Sequence, residues 1–257
     1  MKQFFSYKNL AGIGGILIFI LLWESTIRLG SYDFEFIVSP SQIAAAWLPM
    51  LLTANFWNEL THTLTAALIG WLLAAICGII LGISMGLSSR LRQCLMASFE
   101  LLRPLPGVAF APVGLILFGF SLKMELLVIF FPTLWPIVGN TLSGIDQQSN
   151  RLHELVKIYH IPPLQAAFSI YGPAAAASIL VGLRISASLA VIMAVIAEMI
   201  GNPEGLGYAI IREQQGLHPA EMFAYIITLG VIGILVNQLL IQLAKWLMPG
   251  QFLRTTS

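Results

Sequence analysis

The side chains of this sequence that could do covalent or metal chemistry are four histidines, twelve acidic residues and two cysteines, and their spacing builds no catalytic set. His62, His153, His160 and His218 are scattered and show no metal-ligand spacing. His153 and His160 are close enough to share a helical face, but without a carboxylate or thiol cluster they read as solvated loop residues. Cys77 lies in an apolar run and Cys94 beside Arg90 and Arg92, which is neither a disulfide framework nor a metal pattern. No G-x-x-x-x-G-K-[ST] is present, so the chain does not cradle a nucleotide phosphate by the P-loop route. The sequence therefore predicts no catalytic residue, no metal and no cofactor bound by this chain.

Ionisable residues inside apolar runs are the next candidates, because a charge at membrane depth is costly and usually faces a bundle interior or a pathway. Glu198, in Ile196-Ala-Glu-Met-Ile200, reads either as a gate or pathway residue or as an interfacial carboxylate beside Gly201-Asn-Pro203. Arg184 can snorkel to the interface or pair with Glu100. Glu100 and Arg103 stand one helical turn apart, just before Pro104 and Pro106, which suits a hinge at the mouth of a span or a fixed anchor for it. Glu24, beside Trp23, reads as interfacial.

The elements that position these residues follow from composition. Of 257 residues, 58% are hydrophobic and only 10% charged, against roughly 25% charged in soluble domains. The chain is an all-α integral membrane protein, 1–257 forming one transmembrane domain. Hydropathy places about six spans at 10–29, 60–87, 104–120, 124–144, 174–200 and 221–244. The third is short and broken by Pro104, Pro106 and Pro112, so it belongs in the bundle interior. The run after Lys2 and Lys8 has no A-x-A cleavage site and reads as an uncleaved first span. Nine of the 13 Lys and Arg fall on one side: Lys2, Lys8, Arg90, Arg92, Arg103, Arg151, Lys157, Lys245 and Arg254. The positive-inside rule makes that side, with both termini, cytoplasmic. Ser39-Pro-Ser-Gln42 followed by Ile43–Trp47 predicts a capped amphipathic helix along the outer interface. Gly78-x-x-x-Gly82-x-x-x-Gly86 is a small-residue ridge, for packing within the subunit or for a dimer contact.

A polar insert, 146–173, separates the fourth and fifth spans. Within it Leu152, Leu155, Val156 and Tyr159 follow i, i+3, i+4, i+7 spacing, an apolar stripe suited to a partner's groove. Arg151, Glu154, Lys157 and His160 form a polar rim. The alternative is a surface helix on the inner leaflet.

Ordered blocks then carry a family resemblance over nearly the whole chain. They are Leu22-Trp-Glu24, Ile37-Val-Ser-Pro-Ser-Gln42, Phe56-Trp-Asn-Glu-Leu60, Gly78-x-x-x-Gly82, Glu100-Leu-Leu-Arg-Pro-Leu-Pro106, Gly182-Leu-Arg-Ile185, Ala197-Glu-Met-Ile200 and Gly205-Leu-Gly-Tyr208. The chain resembles the permease subunit of type I ABC importers of the nitrate/sulfonate/taurine group. In that family's coupling loop, Glu154 matches the Glu and Pro173 the Pro, Leu155 and Val156 stand where two Ala occur, and His160 stands where a Gly occurs.

The resemblance implies a non-enzymatic membrane subunit with the type I permease fold in the bacterial inner membrane. Its partners would be a second permease copy, cytoplasmic ATPase subunits that use ATP, and an extracytoplasmic solute-binding protein, with no nucleic acid. It implies coupling through the 152–164 loop, with Leu152, Glu154, Leu155, Val156, Tyr159 and His160 at the ATPase contact. Glu100, Arg103, Arg184 and Glu198 are the candidate pathway or gate residues. The expected cargo is a small anion such as a sulfonate, nitrate or taurine-like compound, or a vitamin precursor. Two other classes stay open: a membrane-embedded vitamin- or precursor-binding subunit, and a secondary transporter, which usually shows an internal repeat and midplane charges, whereas this chain has no repeat and few such charges.

Overall fold

A computed structural model describes residues 7–29, 37–148, 156 and 158–247. It is helical almost throughout: α1 (Tyr7–Leu29), α2 (Pro40–Leu51), α3 (Ala54–Leu87), α4 (Ser89–Leu102), a 3-10 turn (Gly107–Phe110), α5 (Ala111–Phe118) and α6 (Leu122–Asp146). After the polar loop come α7 (Pro163–Ala166), a π-helical turn (Ala167–Tyr171), α8 (Gly172–Gly201), α9 (Leu206–Gln215) and α10 (Pro219–Leu247). Among the described residues, four helical runs are long and apolar enough to cross a membrane: α3, α6, Ala167–Gly201 and Pro219–Ala244. A fifth is added if α4 and the Gly107–Phe118 segment count as one bent span. The first expected span coincides with α1. The chain ends, expected to be cytoplasmic, lie outside the described residues.

The glycine ridge of α3 sets the central packing. Gly70, Gly78, Gly82 and Gly86 meet Ile129, Ile137, Thr141 and Ile145 of α6 in that order, and a Cβ at any of them would come within 2.6–2.9 Å of its partner. The ridge therefore packs inside the subunit, and only residues without a Cβ allow this approach. Because the contacts climb both helices in the same direction, α3 and α6 run parallel. The α4–α5 segment has to return the chain to the end where α3 began. It does so with a 92° bend at Arg103–Pro106, where two prolines remove N–H donors. The expected span at 104–120 is therefore corrected to a broken one: a polar α4, the bend, and an α5 of eight residues that is too short to cross alone.

α8 runs antiparallel to both: Gly144 meets Ala175 and Ser178, Gly182 meets Asn140, and Trp71 Nε1 donates to Leu183 O at 3.1 Å and to Ser186 Oγ at 2.9 Å. Small residues on α8 (Ala187, Ala190, Ala194, Ala197) are buried and let the helices close on one another. Helical structure leading into α8 begins at Pro163, eleven residues before the expected 174. Pro163 suits a first helical position, and Pro173, which would clash with the carbonyl one turn earlier, sits beside the π turn at 167–171 that absorbs it. The C-terminal part of the expected 146–173 insert, from Pro163, is thus helical, and Val156 and Ile158 within the insert are helical as well.

The capped helix at 40–51 forms as its sequence requires. Ser39 and Gln42 make a reciprocal capping box, with Gln42 Oε1 accepting from Ser39 N at 2.9 Å. Trp47 Nε1 donates to Thr228 Oγ1 at 2.8 Å and fixes α2 on α10. Glu24 accepts from Ser41 N at 3.0 Å and from Ser41 Oγ at 2.7 Å and pairs with Arg28, so it ties α1 to α2. Ile16–Leu22 of α1 are exposed, an apolar surface for lipid or a neighbour.

Candidate functional site

The upper end of the bundle, where α3 and α6 begin and α8 ends, gathers its buried polar side chains. Glu198 is 1% exposed. Its Oε2 accepts from Thr63 Oγ1 at 3.0 Å and from the Gly207 amide at 2.8 Å, while Thr63 Oγ1 accepts from the Leu206 amide at 2.9 Å. Two side chains from α3 and α8 thus satisfy the first amides of α9, which no residue inside that helix can do. Gly205 makes this possible: its φ is +93°, and a Cβ there would strike the Glu198 carboxylate. The interfacial reading of Glu198 is corrected, since the carboxylate is enclosed and anchors α9.

A second network lies beside it. Arg212 of α9 donates to Glu59 Oε1 at 2.6 Å and to Glu213 Oε1 at 2.8 Å, and Tyr225 of α10 donates to Glu59 Oε2 at 2.8 Å. Burial works against the Arg212 charge, but its hydrogen bonds to Glu59 and Glu213 outweigh it and hold its pKa above the ordinary value. A third group, His62, Glu125, Asn202 and Glu204, joins α3, α6 and the turn after α8. His62 Nε2 lies 3.0 Å from Glu125 Oε1, and Asn202 Nδ2 donates to Glu125. The scattered histidines concealed this group, because its members come from three distant stretches of chain.

The other candidate pathway residues lie apart from Glu198. Arg103 is exposed at the helix break and lines a groove of about 370 Å³ with Pro132, Trp135, Pro136, Asn140, Ile185 and Leu189. Glu100 is exposed and, among the described residues, makes no ion pair with Arg103. Arg184 is exposed and donates through Nε to Asn237 Oδ1 at 2.9 Å, and among the described residues it makes no ion pair with Glu100. It braces α8 on α10.

At the lower end, Asp146 receives a two-pronged contact from Arg92 at 2.8 and 2.9 Å, which ties α4 to the end of α6. Leu152, Glu154 and Leu155 of the expected coupling helix lie outside the described residues. Val156 packs inward on the cluster of Ile145, Ala166, Tyr171 and Ala175, so it does not join an outward stripe. Ile158, Tyr159 and Phe168 are exposed apolar side chains of this region, at 69%, 72% and 74%. His160 has φ +49°, and the Ile161 amide donates to Val156 O at 3.1 Å, closing the turn. The position where the resembled family carries glycine is thus a left-handed one.

The family model of the binding-protein-dependent transport system inner membrane component matches residues 74–252. The chain belongs to this family. The permease is 29% identical over 233 residues to a Bacillus subtilis protein named for aliphatic sulfonates transport, SsuC, covering 89% of this chain and 84% of the relative. It is 29% identical over 244 residues to the formylaminopyrimidine transport permease protein ThiX of Halalkalibacterium halodurans, covering 95% and 97%. The nitrate import permease protein NrtB of Synechocystis is 27% identical over 256 residues, covering 96% and 92%. The permease is therefore an inner-membrane subunit of an ABC importer.

Proposed function

We propose that two copies of this chain form the translocation pathway for a small anion delivered by a solute-binding protein at the upper end, while ATPase subunits at the lower end bind and hydrolyse ATP. In this reading α1, α3, the bent α4–α5 segment, α6, α8 and α10 are six spans, and the lower end is cytoplasmic. Arg90 and Arg92 lie at that end and Glu59, Glu204 and Glu213 at the other, as the positive-inside rule requires. The chain performs no covalent chemistry and binds no nucleotide.

ATP binding draws the ATPases together, moves the exposed Ile158–Tyr159 turn with them and shifts a two-state assembly from inward- to outward-facing. The Arg92–Asp146 contact would carry that movement into α4, whose bend at Arg103–Pro106 can act as the hinge. The anion reading rests on Arg103, an exposed cation lining a groove that is otherwise mostly apolar. Relatives named for nitrate and aliphatic sulfonates point the same way, and ThiX, named for a pyrimidine, defines the competing cargo class.

The test is native mass measurement of the gently extracted tagged chain, followed by uptake into proteoliposomes of nitrate, an alkanesulfonate and a formylaminopyrimidine. Two permeases with two ATPases, and anion uptake that falls at least tenfold in Arg103→Gln, is the expected result. A lone chain would remove the importer assembly, and pyrimidine uptake indifferent to Arg103 would remove the anion pathway.

A further inference from the structure

His62, Glu125 and Glu198 each offer one ligand atom within 4.8 Å of the other two. Glu125 is 0% and Glu198 1% exposed, and among the described residues no Lys or Arg side chain is paired with either. Two buried carboxylates beside one imidazole are unfavourable as free anions, and either a proton or a shared cation relieves them.

Two observations locate the missing charge. First, His62 Nδ1 lies 3.0 Å from Glu204 Oε2, and a carboxylate only accepts, so Nδ1 carries the proton. That leaves the Nε2 lone pair beside Glu125 Oε1 at 3.0 Å and Oε2 at 3.3 Å, with the Asn202 amide nitrogen, 3.1 Å from Nε2, as the donor between them. A carboxylate fixing the far nitrogen of a ligating imidazole is a common outer-sphere device at metal sites. Second, Glu198 Oε1 is buried and has no hydrogen-bond partner, although Oε2 of the same carboxylate has two. An imidazolium paired with Glu125 would leave that oxygen unexplained.

We infer that His62, Glu125 and Glu198 form a site for a divalent first-row transition ion of the zinc class. One imidazole with two carboxylates favours such an ion over magnesium or calcium, which prefer oxygen alone. Ligands at about 2.0–2.2 Å from zinc stand roughly 3.4 Å apart, so the His62–Glu125 pair is already close enough; Glu198 must move by about 1.5 Å at most, and the Asn202 amide nitrogen must turn away from the pair. His62 and Glu204 also line a cleft of about 530 Å³, which gives an ion a route from solvent. Bound there, it would join α3, α6 and α8 at the upper mouth.

The experiment uses the permease with its partner subunits, carried on a non-histidine tag, stripped with chelator and dialysed against zinc chloride. Elemental mass spectrometry should find one zinc per permease chain above that in His62→Ala, and zinc should raise the thermal midpoint of the wild type alone. His218→Ala should retain the ion. Should His62→Ala fail to fold, Glu204→Gln leaves all three ligands in place and should weaken zinc binding roughly ten- to hundredfold by freeing the ring. Equal zinc in wild type and variants, or an X-ray absorption spectrum without imidazole, would overturn the site and leave an imidazolium as the only charge there.

Discussion

Gly82 of α3 lies against Thr141 of α6 so closely that a Cβ at position 82 would come within 2.6 Å of the threonine Cβ. The contact is one rung of the ridge that sets α3 parallel to α6, and the parallel arrangement is what requires α4 and α5 to bring the chain back. Gly82→Leu should therefore cost more than the about 1–3 kcal/mol typical of overpacking, because the partner is a rigid β-branched side chain. Thermal melts in detergent should show the loss. Gly139→Ala, which meets nothing within 4 Å, should leave the melt unchanged.

Gly205→Ala should be as damaging for a different reason. At φ +93° and ψ 169° the backbone lies in a region nearly closed to other residues, costing about 1–3 kcal/mol, and the added methyl displaces the Glu198 carboxylate from the α9 amides. The expected result is loss of folded material on size exclusion. A wild-type melt would show that Glu198 does not anchor α9.

The sequence was most legible where one physical rule acts over a long stretch. Apolar length gave α3, α6, α8 and α10, and the capping box from Ser39 to Gln42 gave the start of α2, which runs four residues beyond the expected Trp47. It was least legible at prolines, whose cost depends on what covers the backbone. Pro104 and Pro106 break a helix, whereas Pro173 is absorbed by a π turn within a continuous run. Glu198 was visible as a charge in an apolar span, but its role depends on Thr63 and Gly207, far apart in the chain. His62 and Glu125 carried no local signal, since nothing in their neighbouring residues indicates that α3 and α6 run side by side.

Arg212→Met should destabilise the upper end. It leaves Glu59, 9% exposed, with Tyr225 as its remaining donor. Breaking a fully buried pair costs about 3–5 kcal/mol, but the Arg212 side chain is 38% exposed and solvent screens the pair, so about 1–2 kcal/mol is expected. Glu59→Gln in the same background should recover most of it, because the uncompensated charge is then gone. A double variant no better than Arg212→Met would mean that packing of the arginine stem, not charge, holds α9 to α3.

The orientation has a direct chemical test. In a chain with Cys77 and Cys94 replaced by serine, a cysteine at exposed Gln215 should react with an impermeant maleimide on intact cells, and one at exposed Gln93 only after permeabilisation. Asn202 is a poor reporter because it is only 7% exposed and committed to Glu125. The reverse pattern of labelling would invert the bundle and place the Ile158–Tyr159 turn outside the cell.

His160 offers the sharpest contrast between local strain and partner contact. Its φ of +49° costs an ordinary L-residue about 1–2 kcal/mol, partly relieved here by the contact of Nδ1 with Ile158 O at 3.0 Å. Glycine removes the strain but adds about 0.5–1 kcal/mol of unfolded-state entropy, so His160→Gly should be neutral to about 1 kcal/mol stabilising. It should also leave co-purification with the ATPase intact. His160→Val keeps a bulky side chain yet cannot take this backbone cheaply, because a β-branched residue at positive φ is a genuine outlier. It should destabilise by about 2 kcal/mol and shift the turn that carries Tyr159, lowering coupled ATP hydrolysis. If valine were tolerated as well as glycine, the left-handed turn would not be what positions this surface. If glycine abolished assembly while the fold survived, the imidazole itself would be the contact.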